Sequence, residues 1–229
     1  MNKTQTKTKK IVILGDSAFA EVAYECFTHD SEYEVVGFAV EGAYLKQDRL
    51  FDLPVVAFET LEQVFDPAQV HFYAALVYTQ LNRLRTRLYR AAKSKGYIPA
   101  SYVSSRAFVW GNVQLGEHCF VFEDNTLQPF ARIGDNVVLW SGNHIGHHSR
   151  IGDNCFVSSH VVVSGFCEVG ENSFLGVNCS LGNNVAVGRD NWLGPGVVLT
   201  SGTEPNQLFR LEQPEAARVS ATRFFRVKE

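Results

Sequence analysis

From Val103 to Glu204 the chain holds one six-residue hydrophobic frame without an insertion. The positions that open the hexads run Val103, Val109, Leu115, Val121 and so on to Leu193 and Leu199, seventeen in all, and every one is a branched aliphatic. Four residues further on the side chain is never larger than Asn or Val, as at Ala107, Cys119, Asn143, Cys167 and Thr203. Glycine follows the aliphatic in nine hexads, for example Ile133-Gly134 and Ile151-Gly152. A unit of this kind places one aliphatic and one small side chain inside and then turns a corner. Three units close a triangular coil of eighteen residues, and coils stack about 4.8 Å apart by parallel strand pairing. A coiled coil needs a period of 3.5 residues, and sandwich strands would not hold phase for a hundred residues. The spacing therefore predicts a parallel β-helix of nearly six coils.

Before Val103 the pattern changes. Lys10–Leu14 reads as a buried strand, followed by Gly15-Asp-Ser-Ala-Phe-Ala20 and a helical stretch through Phe27. Further strands are expected over Tyr33–Val40, Pro54–Phe58, His71–Val77 and Ile98–Val103, with helices over Thr60–Val64 and Leu81–Lys95. Strands alternating with helices indicate a small parallel α/β domain. The expected organisation is a disordered tail over 1–8, an α/β domain over 9–101, the β-helix over 102–204 and a C-terminal cap over 205–229.

The residue that precedes each aliphatic points outward, and residues eighteen apart share a face. One such ladder reads Tyr102, Phe120, Val138, Phe156, Phe174, Trp192. The next face carries Gln114, Arg132, Arg150, Glu168, Ala186 and Glu204. One apolar and one polar face suit a closed three-fold ring of copies, with the aromatic ladder as its interface.

Composition adds limits. The 229 residues are 45% hydrophobic and 20% charged with a net charge of −3, which gives no general attraction to nucleic acid or anionic membranes. No apolar run suggests a signal peptide or a membrane span. Cys119, Cys155, Cys167 and Cys179 fall on the small inward position, so they read as buried filler, and together with Cys26 they fit a reducing cytoplasm. Of the clustered histidines His118, His144, His147, His148 and His160, no two are separated by eighteen or thirty-six residues. No metal is expected.

The run Ile145-Gly-His-His-Ser-Arg-Ile-Gly-Asp-Asn, with Phe174-Leu-Gly-Val-Asn-Cys after it, resembles the hexapeptide-repeat acyltransferases. A small α/β domain in front of such a coil is similar to the bacterial nucleotide-sugar acetyltransferases, over essentially the whole chain. The resemblance implies an α/β domain followed by an all-β left-handed parallel β-helix, a homotrimer, and an acetyl-CoA-dependent acyltransferase. The implied reaction is N-acetylation of a nucleotide-linked amino sugar in surface-polysaccharide synthesis, with CoA in the groove between neighbouring β-helices. O-acetylation of a sugar or sialic acid is a second reading, and a non-catalytic binding scaffold a third.

Site residues follow from the same likeness. His147 takes the place of the catalytic base in the Ile-x-His segment. His148 stands where the family usually carries a carboxylate, and Glu123, Asp124 or Glu168 are candidates to orient His147 instead. Gly165, eighteen residues after His147, takes the position whose backbone amide meets the thioester oxygen and so contributes to binding acetyl-CoA. Arg218, in Pro214-Glu-Ala-Ala-Arg218, is a candidate for the CoA phosphates. The sugar nucleotide would sit at Gly15, Asp16, Ser17 and Glu41, near the first turn and the end of the second strand. The turn Gly15-x-Ser17-x-x-Ala20 is a degenerate form of the dinucleotide fingerprint, with a helix N-terminus able to receive a polar ligand group.

Overall fold

The computed structural model describes residues 6–227. Its first part is a six-stranded sheet in the order β3-β4-β2-β1-β5-β6, with every neighbouring pair parallel except β3–β4. The strands are β1 Lys9–Leu14, β2 Tyr33–Val40, β3 Arg49–Leu50, β4 Leu53–Ala57, β5 Val70–Ala74 and β6 Ile98–Pro99. Helix α1, Ala18–His29, follows β1, and α2, Arg83–Ser94, follows β5. The run Ile11–Leu14 is wholly buried because a central parallel strand is covered on both sides. The antiparallel β3 was not expected; its two residues are too few to show a period. The strand expected over Ile98–Val103 is broken between Pro99 and Tyr102, where the chain leaves the sheet and enters the coil. Of the tail expected to be disordered, residues 1–5 lie outside the described residues. Lys7 instead donates to the carbonyls of Phe27 and Ser31, and Thr8 N–H donates to the carbonyl of Glu32.

The second part is a parallel β-helix built from two-residue strands that pair eighteen residues apart, as in Phe120↔Val138↔Phe156↔Phe174↔Trp192. Its three faces are sheets of seven, six and five strands. We call first the face that starts at Tyr102–Val103, second the one that starts at Phe108–Val109, and third the one that starts at Gln114–Leu115. The inward aliphatics from Val121 to Leu193 are buried and form one core with Cys119, Cys155, Cys167 and Cys179, all free thiols. Burial pushes the thiols of Cys119 and Cys155 up to about 12, so they pack as small apolar groups. Val103 and Val109 are more open, because no coil lies beneath them. Beyond the hexad frame, Leu208–Phe209 adds a last strand to the first face beside Trp192–Leu193. The segment that follows is exposed and carries one short helix, α3, Ala221–Phe224.

The aromatic ladder of the first face is not an interface between copies. Tyr102, Phe120, Val138, Phe156 and Phe174 are buried within this chain, in one core with Phe19 and Phe27 of α1 and Tyr73 of β5. Phe120 meets Phe19, Phe27 and Tyr73 at ring-centroid distances of 5.5, 5.7 and 5.0 Å. The α/β domain thus lies along the first face. The ladder's apolar character was legible, but a sequence does not say which surface will cover it. Burying each large ring is worth about 1.5–3 kcal/mol, so the ladder joins the two domains of one chain.

Polar groups complete that joint. The guanidinium of Arg85, fully buried, donates from Nη2 to the carbonyls of Asn136, Asn154 and Cys155, each at 3.2 Å. Its Nε donates to Asn136 Oδ1 and its Nη1 to Asn82 Oδ1. The acceptors at Asn136, Asn154 and Cys155 belong to successive turns of the coil, so one side chain of α2 ties two coils together. His118, also fully buried, accepts the N–H of Ala74 at Nε2, 2.8 Å. Its Nδ1 must then carry the hydrogen, which is donated to Asn136 Oδ1 at 2.9 Å. The ring is stacked on Tyr73 with Tyr89 close by.

This arrangement makes stability depend on pH. Burial pushes His118 down to about 3 from its ordinary 6.5, so it stays neutral in the fold while the unfolded chain takes up a proton below about pH 6.5. Stability from this site is complete above that pH and falls as the pH drops toward 3, by up to about 1.4 kcal/mol per unit. Half-buried His71, lowered by desolvation, acts in the same direction. The urea midpoint should therefore fall between pH 7 and pH 5, and His118→Gln should flatten that slope. An unchanged slope in the variant would show that His118 does not carry it.

Candidate active site

His147 lies on the corner between His144–Ile145 of the second face and Arg150–Ile151 of the third. On a three-sided coil this corner is opposite the first face, which the α/β domain covers. The His147 N–H donates to Gln128 Oε1 at 2.9 Å, anchoring the corner to the coil before it. The His147 ring lies over Gly165, one coil on. A Cβ at Gly165 would stand 2.7 Å from His147 Cε1 and 2.8 Å from Nε2, closer than real carbon contacts allow. Glycine at 165 is therefore what gives the imidazole its place. The backbone amide of Gly165 already donates to Asn183 Oδ1 at 3.0 Å. A thioester oxygen would have to share that hydrogen or displace Asn183.

Gly165→Ala is expected to fold, since no left-handed backbone angle is required there, but to push the His147 ring aside. A displacement of about 1 Å at a reacting group costs on the order of 10²-fold in rate. Acyl-transfer rate and melting temperature, measured together, check this. A normal rate would mean that the ring can sit elsewhere without loss.

The group paired with His147 is neither Glu123, Asp124 nor Glu168. Its Nδ1 lies 3.2 Å from His148 Nδ1. The His148 ring is held between Phe130 and Phe166, with centroids 4.5 and 4.8 Å away and planes inclined by 27° and 17°. Residues 130, 148 and 166 are eighteen apart and form a ladder along the corner. All three have left-handed backbone angles, with φ of 66°, 58° and 57°. This conformation, which short polar side chains tolerate and bulky rings disfavour, is also taken by Asn184 further along this corner and by Asp124, Asn136, Asn154, Asn172, His118 and His160 at the other two. The exposed rings Phe130 and Phe166 were not picked out from the sequence. A departure from Asn or Asp at three aligned corners was the signal available.

Gly15, Asp16, Ser17 and Glu41 come together in the α/β domain. They line a cavity of about 750 Å³ with Tyr44, Lys46, Thr79, Gln80 and Arg87, a size usual for small-ligand sites. Gly15 has φ of 120° and its N–H donates to Ala39. A side chain there would also press on the Ala75 carbonyl, 3.1 Å away. Ser17 caps α1 in an extended conformation without a side-chain cap bond and lines the cavity beside the helix N-terminus. Glu41 is held by both Nη atoms of Arg87, each at 2.8 Å. That pairing holds the carboxyl below its usual range. Arg87 and Lys46 are the cationic groups of the cavity, and sequence reasoning missed both because their positions are set by tertiary packing.

Arg218 lies on the exposed C-terminal segment and makes no hydrogen bond or ion pair among the described residues. Nothing in the geometry ties it to His147. No group of three or more His, Cys, Asp or Glu side chains converges on a metal-sized site among the described residues, and no described helix is long and apolar enough to cross a membrane.

The sequence profile described as bacterial transferase hexapeptide (six repeats) matches residues 130–165. No curated protein matches the chain. Among solved structures, the acetyltransferase domain of PglB from Neisseria gonorrhoeae superposes with a TM-score of 0.76 at 18% identity, covering 88% of this chain and 96% of that one. PerB from Caulobacter crescentus, in complex with CoA and GDP-perosamine, superposes with a TM-score of 0.76 at 24% identity, over 87% of this chain and 92% of that one. WeeI from Acinetobacter baumannii gives 0.65 at 17% identity, over 86% and 94%. By fold, then, this chain is an α/β domain followed by a left-handed parallel β-helix of hexapeptide repeats, an architecture it shares with these proteins.

Proposed function

We propose that the protein is an acetyl-CoA-dependent N-acetyltransferase that acts on a nucleotide-linked amino sugar in bacterial surface-polysaccharide synthesis. The observation that carries this reading is the seating of the His147 imidazole over Gly165 on an exposed corner of a fold shared with an enzyme solved with CoA and GDP-perosamine. An amine attacks a thioester only as the neutral form, and its nitrogen becomes cationic as the C–N bond forms. His147 Nε2 takes that proton. The carbonyl is restored as the C–S bond breaks, and the CoA thiolate leaves and is protonated. A base near neutral pKa suits this step. The Gly165 amide supports the thioester oxygen if Asn183 yields it. Arg218 is retained as a candidate for the CoA phosphates.

The cavity around Gly15, Asp16, Ser17 and Glu41 is the proposed seat of the sugar nucleotide. Lys46 provides positive charge for its phosphates, Arg87 being paired with Glu41, and the N-terminus of α1 favours an anion. That cavity belongs to the domain on the first face, whereas His147 occupies the opposite corner. One chain therefore does not bring its own cavity to its own base, and a homotrimer in which neighbouring copies share each site resolves this. Phe108, Trp110, Phe130 and Phe166, on the second face and its corners, each leave about half of their surface exposed, and Val162 is exposed between them. They are the apolar surface for such contacts, in place of the first-face ladder. Sedimentation should give a trimer, and a monomer at assay concentrations would contradict the shared site. Acceptor and donor are small cytoplasmic metabolites in this reading, with no nucleic acid and no membrane span.

The test is release of CoA thiol from acetyl-CoA with UDP-, GDP- and dTDP-linked amino sugars, and with sialic acid as a hydroxyl acceptor. Release with at least one amino-sugar nucleotide and none with sialic acid is expected. The reverse pattern would favour O-acetylation, and no release with either class would leave a binding scaffold.

A further inference from the structure

The contact between His147 Nδ1 and His148 Nδ1, 3.2 Å, constrains where hydrogens sit. Two ring nitrogens at that distance share one hydrogen. When both imidazoles are neutral their tautomers are therefore linked. If His147 carries the hydrogen on Nδ1, His148 presents a bare Nδ1, keeps its own hydrogen on Nε2, and leaves His147 Nε2 bare. In the opposite arrangement His147 Nε2 bears a hydrogen and cannot accept one from an attacking amine. Only the first arrangement gives a base at the atom that lies over Gly165.

The surroundings of His148 are built to hold its ring. Phe130 and Phe166 stack on its two sides, and all three residues occupy left-handed corners, where most other turns of the coil carry Asn or Asp and none carries a phenylalanine. The coil interior does not call for these rings, since both phenylalanines are exposed. Besides the surface proposed above for contacts between copies, both share a stacking contact with His148. We infer that His148 is a positioning residue for acetyl transfer: clamped between Phe130 and Phe166, it accepts the Nδ1–H of His147 and so fixes the tautomer in which His147 Nε2 takes the amine proton. A neutral imidazole thereby supplies the hydrogen-bond acceptor at a place where a carboxylate would otherwise serve. During the step the proton passes from the amine nitrogen to His147 Nε2, and the Nδ1–H···Nδ1 bond persists in the imidazolium. The direction of this hydrogen bond and its catalytic consequence rest on the proposed acetyl transfer; the linkage of the two tautomers rests on the contact alone.

Two variants separate the roles of ring and acceptor. His148→Phe keeps an aromatic ring for the stack and removes the acceptor. His148→Asn removes the ring but puts Oδ1 at the same number of bonds from the backbone as Nδ1, on a residue that tolerates the left-handed corner. The readouts are nitrogen NMR of protein labelled with ¹⁵N-histidine, with His147 assigned by its loss in His147→Gln, and steady-state kinetics. In the wild type and in His148→Asn, His147 should show a protonated Nδ1 and a bare Nε2. In His148→Phe the Nε2–H tautomer should appear, and kcat should fall about 10²- to 10⁴-fold with KM unchanged, the range for a general base held in the wrong tautomer. A wild-type His147 protonated at Nε2, a His147 spectrum unaltered in His148→Phe, or an unaltered kcat in that variant would overturn the inference. If no amino-sugar nucleotide accepts acetyl, the transfer reading fails, while the NMR comparison still decides the tautomer.

Discussion

His147→Ala should lower kcat about 10²- to 10⁴-fold while the melting temperature, the oligomeric state and CoA binding stay as in the wild type. The separation of effects follows from where the residue sits. His147 is exposed on a corner, and its side chain fills no part of the coil interior. Its ring contacts are Phe166 and His148, both also at the surface. Removing it takes away a proton acceptor and little packing. Single-turnover acyl transfer followed beside thermal melting checks this. A kcat within about threefold of wild type would remove His147 from the mechanism, and a large loss of stability would mean that its role is structural.

Arg85→Ala should have the opposite profile, with damage to the fold first. The guanidinium is buried without a carboxylate partner, and burial lowers its pKa, yet it is held by carbonyl and amide oxygens of two coils. Truncation leaves the carbonyls of Asn136, Asn154 and Cys155 facing an empty space. Each buried acceptor left without its donor costs about 1–3 kcal/mol. Arg85→Lys should recover only part of this, because an ammonium cannot reach acceptors on two coils in one plane. Urea unfolding is the measurement. A loss under about 1 kcal/mol for Arg85→Ala would show that the joint between domains is held by the aromatic ladder alone.

The two substitutions mark what a sequence displays and what it hides. The hexad frame was legible because each coil repeats the same demand, an aliphatic at the opening position and a small residue four later, from Val121 to Leu193. The strands Lys9–Leu14 and Tyr33–Val40 were legible because buried parallel strands are continuous apolar runs. The ladder from Tyr102 to Trp192 was read as apolar and outward, and both properties hold, but its covering was assigned to a neighbouring copy and not to α1 and β5. Period alone carries no information about what lies over a face. Arg85 sits in Arg-Leu-Arg-Thr-Arg, where three arginines look alike, and only docking on the coil corners selects one for burial. His118 looked like one more member of a histidine cluster, and its neutral, doubly hydrogen-bonded state depends on Ala74 and Asn136. At the candidate site, Gly15, Asp16, Ser17 and Glu41 do meet in one cavity, whereas Arg87 and Lys46 are added to it by tertiary packing. His148 was visible as the missing carboxylate beside His147. The contact of its Nδ1 with the His147 ring, and its place between Phe130 and Phe166, are set only by the folded corner.

The central claim is the transfer of an acetyl group to the nitrogen of an amino sugar that remains attached to its nucleotide. Mass spectrometry with fragmentation of the product, formed from acetyl-CoA and the accepting sugar nucleotide, tests it most directly. The account predicts one added acetyl group on the amino nitrogen with the nucleotide intact, and no product from His147→Ala in the same time. An acetyl group on a sugar hydroxyl, or product formed at an equal rate without His147, would contradict it.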